Sequence, residues 1–203
     1  MGTNHMGRQS IRFPQPPVVR SFASVAGKKE REGPLGDQFT ATVQDTTFGE
    51  KSWEQAERRM QQMTLELALE KAGLTDADLD AAFAGDLLNQ CIGSSFSLRN
   101  RGVPTLGLYG ACSTMAESLL LAAMSVSGGF ARTALAMTSS HFASSERQYR
   151  FPLGYGGQRT PTSQWTVTGA GAVLLGGGER GIRITAATIG SIVDRGICDA
   201  NNM

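Results

Sequence analysis

The chain has 203 residues, enough for one domain with a sizeable core. Hydrophobic residues make up 40% and charged residues 18%, which excludes an acidic disordered segment and a charged coiled coil. Nineteen Lys and Arg against eighteen Asp and Glu leave a net charge of +1, so no general attraction to nucleic acid or anionic lipid is expected.

No apolar run reaches the roughly 18 residues of a membrane span, and the first residues lack the apolar stretch of a secretory signal. Residues 1–7 read as a vector remnant, with Met6 as a native start, and residues 8–203 as one unit. Setting the remnant aside leaves His141 as the only histidine with a native role. The cysteines are Cys91, Cys112 and Cys198. Three at wide spacing make neither a disulfide framework nor a metal cluster, which fits a reducing compartment. Zinc, EF-hand and Walker patterns are absent, so no metal or cofactor is expected.

In chain order, residues 18–25 read as the first strand, 28–36 as a charged loop and 39–43 as a short strand. Residues 52–71 are the clearest helix. Ser52 is its N-cap, Gln55 follows at capping-box spacing, and Gly73 stands past its end. Trp53, Ala56, Met60, Met63 and Leu67 give that helix one apolar stripe. Residues 75–79 form a turn. Residues 81–88 are nearly all apolar, as in a parallel strand covered on both faces. Residues 90–100 start a further helix, and 105–109 are a short strand. Residues 113–127 form a helix apolar almost all round, hence buried, ended by Gly128-Gly129. Residues 133–138 are a strand running into His141, and 143–163 a long polar loop. Residues 166–175 and 182–189 then make an antiparallel hairpin about the glycine-rich turn at 176–181. The order, βαβαβαββ, predicts an α/β fold on a mixed sheet. No closing element follows, and the end reads as cut.

Cys112 is the strongest candidate for chemistry. It follows a strand directly, lies among small residues and precedes a helix. Amides and the dipole at a helix start stabilise a thiolate, an oxyanion or a ligand carboxylate. The alternative is a small packing residue at a tight junction. His141 stands just beyond a strand end, where open α/β sheets bind ligands. Arg147, Arg150 and Arg159 crowd the polar loop, and arginine recognises carboxylates bidentately, although a solvated loop face explains any one of them. Asp86, near a strand end, is a weaker candidate. The glycines at 176–181 precede no helix and so make no dinucleotide site.

Gly110-Ala111-Cys112-Ser113-Thr114 between strand and helix, followed by Gly169-Ala170-Gly171-Ala172, resembles the thiolase and ketoacyl synthase superfamily, with Cys112 at its nucleophile elbow. Ile11-Arg12-Phe13, Phe48-Gly49-Glu50-Lys51-Ser52-Trp53-Glu54 and Gly85-Asp86-Leu87-Leu88-Asn89-Gln90 narrow the likeness. So do Thr138-Ser139-Ser140-His141-Phe142, Glu146-Arg147-Gln148-Tyr149-Arg150-Phe151-Pro152 and Arg159-Thr160-Pro161-Thr162. Together they resemble the stage V sporulation AD family.

The resemblance implies the N-terminal half of a thiolase-like fold, with the C-terminal half missing. It implies binding of dipicolinic acid, free or with calcium, and no cofactor. It also implies a peripheral place on the inner membrane of the forespore and spore, among other stage V sporulation channel proteins, and a homodimer. Dipicolinate uptake in sporulation and release in germination follow from the same likeness. Cys112, His141 and Arg159 are the implied ligand-binding residues, and none is implied to be catalytic. The superfamily's histidine base belongs to the second half, and a nucleophile without it is not expected to run acyl transfer, so a ketoacyl synthase or thiolase-type enzyme with Cys112 as nucleophile is the alternative reading.

Overall fold

The structure, a computed structural model, describes residues 4–149 and 165–198. In chain order the elements are β1 (His5–Met6), β2 (Ser10–Arg12), β3 (Val18–Ala26), α1 (Lys28–Arg31) and β4 (Ala41–Thr42). Next come α2 (Trp53–Ala72), β5 (Ala81–Gly85), α3 (Ile92–Leu98), β6 (Thr105–Leu108) and α4 (Thr114–Ser127). β7 (Thr133–Ser140), α5 (Phe142–Tyr149), β8 (Gly169–Gly176) and β9 (Ala186–Thr188) follow.

Six strands form one mixed sheet in the order β4-β3-β8-β7-β5-β6. β5 lies parallel to both β6 and β7, while β8 runs antiparallel to both β3 and β7. The near-continuous apolarity of β5 and β7 matches their covered position: Ala82, Ala84, Leu135 and Met137 are wholly buried. Helix α2 covers one face, where Leu65, Ala68 and Leu69 join Ala82, Leu135 and Leu174. Helix α4 covers the other, where Ala122, Ala123 and Val126 meet Phe83, Ala134 and Leu175.

Helix α2 starts and stops where its sequence demands. The Ser52 hydroxyl accepts from the Gln55 amide at 3.3 Å, and Gly73 closes the helix in the left-handed region at φ 65°. Its buried face is rotated from the expected stripe. Ala56, Glu57, Met60, Gln61, Thr64, Leu65, Ala68 and Leu69 point inward, while Trp53, Met63 and Leu67 are only half-buried. Three polar residues on the buried face hid it from a reading of apolar spacing.

Four further expectations are corrected. Residues 182–189 do not form a hairpin with the preceding strand. β9 pairs instead with β2, in a separate three-stranded sheet of order β1-β2-β9. The alternating pattern identified a strand but could not name its partner. Residues 28–31 form one helical turn rather than loop. The start of the expected polar loop is helix α5, which buries Ser144 and Ser145. Helix α4 is buried along one face only, since Met124 is exposed and Leu119, Leu120 and Leu121 are half-covered.

Candidate functional site

Strand β6 ends at Leu108, and the chain must turn at once into α4. The turn spans Ala111–Ser113, with Ala111 in the left-handed region at φ 49°. A non-glycine residue there is strained, by the order of 1 kcal/mol or more. Thr114 holds the turn. Its hydroxyl accepts from the Gly110 amide at 3.1 Å and donates to the Ala111 carbonyl at 2.8 Å. Ser113 Oγ donates to the Gly110 carbonyl at 2.7 Å. Gly110 is needed for closeness: a Cβ there would come within 2.6 Å of both Ser113 Oγ and a Glu117 carboxylate oxygen.

This turn carries Cys112 outward. The thiol is exposed, and no side chain caps the start of α4. Cys112 lines a cleft of about 540 Å³ at the C-terminal ends of β5 and β7. The other walls include Phe39, Leu87 and Met115, the Thr138–Ser140 strand end, Trp165 and Val167. A flat apolar ligand suits such walls, with hydroxyls and backbone groups to orient it. At the strand end Ser140 Oγ donates to the Val167 carbonyl at 2.6 Å. Two phenols stand close by: Tyr109 and Tyr149 are hydrogen-bonded to each other, and Tyr149 donates to the Leu87 carbonyl at 2.9 Å. Burial and the Tyr109 partner push Tyr149 up to about 12, so it stays a neutral donor.

His141 lies elsewhere. It is buried and lines a neighbouring cavity of about 500 Å³, with Trp53, Phe142, Trp165 and Lys29. The two hollows share Trp165, Thr166 and Val167. Both nitrogens of the His141 ring are engaged. Nε2 is 2.7 Å from the Thr46 carbonyl, so it donates; Nδ1 accepts from the Ala143 amide at 3.2 Å. Trp53 stacks on the ring at 5.4 Å. Burial pushes its pKa down, which the Thr46 contact only partly offsets. The ring is therefore neutral, with its hydrogen on Nε2.

Arg159 and Arg150 lie outside the described residues. Arg147 pairs with Glu54 rather than facing the cleft. Cys91 is buried, its Sγ 3.2 Å from the Leu108 carbonyl, and burial raises its pKa. Cys198 is exposed near the end of the described chain. Among the described residues no group of three or more His, Cys, Asp or Glu could hold a metal ion.

Behind the cleft lies a network of which the sequence pointed only to Asp86. Glu57 and Asp86 are both fully buried, and serines and Gln61 join them into one network. Glu57 and Gln61, four apart on α2, share a helix face with Met60 and Thr64. Polar residues at that spacing within a buried stripe are the signal that could have found them.

A sequence model of the stage V sporulation protein AD family matches residues 7–203. The chain belongs to that family. It is 45% identical over 197 residues to stage V sporulation protein AD of Bacillus subtilis, a match that covers 97% of this chain and 58% of that protein. The chain thus spans a little over half the length of this family relative. Family membership supports a role in sporulation.

The fold is shared more widely. The chain resembles 3-oxoacyl-[acyl-carrier-protein] synthase III of Aquifex aeolicus, with a TM-score of 0.54 at 16% identity, over 81% of this chain and 55% of that one. It also resembles OleA of Xanthomonas campestris, with a TM-score of 0.55 at 14% identity, over 82% and 57% of the two chains. At such identities the likeness shows the fold alone, which is that of the thiolase and ketoacyl synthase superfamily. Among the described residues no helix is long and apolar enough to cross a membrane.

Proposed function

We propose that this protein is a non-enzymatic binding protein for dipicolinic acid, pyridine-2,6-dicarboxylate, taken up free or with calcium. The observation that carries this reading is the exposed Cys112 on the rim of a cleft with flat apolar walls. A pyridine ring fits between such walls, where hydroxyls and backbone groups can orient its carboxylates. Arg159 is the cation assigned to the second carboxylate. His141, with both ring nitrogens engaged, shapes the neighbouring wall rather than the ligand contact.

In this reading the protein works at the inner membrane of the forespore and spore, bound peripherally to other stage V sporulation channel proteins. It helps dipicolinate in during sporulation and out on germination. A homodimer is part of the proposal. The edge strand β6, with Leu106 exposed on it and Tyr109 exposed just past its end, offers a surface for a second copy.

Calorimetric titration with dipicolinate tests the reading. Saturable heat is expected, and Cys112→Trp, which fills the rim, should weaken binding at least about tenfold. Unchanged affinity in that variant sinks the proposal. The acyl-transfer alternative rests on the exposed thiol at the elbow position. A thioester mass shift on Cys112 with acyl-CoA, followed by turnover, would replace binding by catalysis.

A further inference from the structure

The direction of hydrogen bonding in the buried network can be worked out from its donor count. The Gln61 amide has two hydrogens. Nε2 lies 2.7 Å from Ser139 Oγ and 3.1 Å from Ser94 Oγ, so one goes to each. Each serine then donates its own hydrogen onward. Ser94 Oγ gives to Asp86 Oδ2 at 2.6 Å, and Ser139 Oγ gives to Glu57 Oε1 at 2.7 Å.

Asp86 also accepts from the Ser94 amide at 2.7 Å and the Leu88 amide at 2.9 Å. Three donors converge on it, the environment of an ionised carboxylate. Glu57 differs. Its Oε2 lies 2.8 Å from Ser144 Oγ, but that hydroxyl also lies 3.1 Å from the His141 carbonyl. Ser144 has one hydrogen for two acceptors. The conflict disappears if Glu57 bears a hydrogen on Oε2 and donates it to Ser144, leaving Ser144 to serve the carbonyl.

Charge leads to the same answer. Glu57 is 0% and Asp86 1% exposed, and both pack against Gly93, where a Cβ would lie 3.2 Å from Asp86 Oδ2 and 3.5 Å from Glu57 Cγ. Neither makes an ion pair among the described residues. Among the described residues, the titratable and charged groups around them are Cys91, Tyr149 and His141, and the Glu50–Arg58 and Glu54–Arg147 pairs on and beside α2. The two arginines already have carboxylate partners. A second uncompensated negative charge in this interior is strongly unfavourable.

We propose that Glu57 is protonated in the folded protein and donates from Oε2 to Ser144, so that one proton latches α5 onto α2. The latch bears on the cleft. α5 begins with Phe142, stacked on the cleft residue Trp165 at 5.0 Å, and ends with Tyr149 on the Leu87 carbonyl. When the proton passes to the buffer, Ser144 has two acceptors again and the interior holds two charges. α5 is the element that yields. Glu57 is thus a positioning residue, and its role does not depend on what the cleft binds.

Burial pushes Glu57 up to about 7 from 4.5, against the pull of Ser139 and Ser144. A raised folded pKa gives stability that is full below the unfolded value and is lost as pH rises through the folded one. The test compares denaturant unfolding of the chain with that of Glu57→Gln across this range. An amide at position 57 donates to Ser144 as the protonated acid does. The unmodified chain should lose about 80-fold in its folding equilibrium constant between about pH 4.5 and about pH 7 relative to Glu57→Gln. Contributions from His141 are common to both proteins and cancel in the difference. Parallel profiles overturn the latch.

Should Glu57→Gln fail to fold, infrared difference spectra of the unmodified chain decide instead. A carbonyl band of a buried protonated carboxyl that titrates near neutrality supports the latch. No such band above about pH 6 overturns it.

Discussion

Gly85 lies directly under Thr114. A Cβ on Gly85 would come within 2.5 Å of Thr114 Cγ2 and would overlap the Leu108 carbonyl oxygen. The last residue of β5 and the first of α4 are thus packed without room for one carbon atom. This closeness lets α4 start at once after the Cys112 turn. Gly85→Ala should destabilise the chain by about 1–3 kcal/mol, as overpacking does in a filled core. Denaturant unfolding measures it, and a neutral result would mean that α4 sits farther from the sheet than described here.

The cysteines should react unequally. Cys112 is exposed and Cys91 is buried against the Leu108 carbonyl. A soluble alkylating reagent should label Cys112 at least about tenfold faster than Cys91, since Cys112 is accessible and burial holds the Cys91 thiol protonated. Peptide mass mapping over time gives the two rates. Equal rates would place Cys91 within reach of solvent.

His141 should keep its neutral form to lower pH than a free imidazole does. Its depressed pKa means that the folded protein binds fewer protons than the unfolded chain, so the stability it contributes is present above about pH 6.5 and lost as pH falls below it. Nitrogen NMR of the ring should show the Nε2–H form, donating to Thr46, at neutral pH. A ring that titrates at or above the ordinary imidazole value would contradict its burial and its two hydrogen bonds.

The cap of α2 offers a smaller test. Ser52→Ala removes the acceptor for the Gln55 amide and should cost about 1 kcal/mol. Ser52→Asp, which keeps an acceptor, should recover most of that in the same unfolding measurement.

What could be read from the sequence was local. Ser52 and Gly73 mark the limits of α2 because capping is settled within a few residues. Cys112 could be found because strand, turn and helix follow one another directly. Partners distant along the chain could not be read. The alternation at residues 182–189 does not say that β9 pairs with Ser10–Arg12. The latch was hidden for the same reason. Glu57 looks like a surface residue of a charged helix until Ser139 and Ser144 arrive from more than eighty positions away.

The pairing of β3 with β8 has a consequence for biosynthesis. Val18 meets Gly176, so β3 must wait for β8, a strand made much later in the chain. Contacts this remote carry a large loop-closure entropy and form slowly. The parallel trio β5, β6 and β7 can assemble while β3 is still unpaired on one edge. During translation that bare edge is the part of the nascent chain most in need of a chaperone.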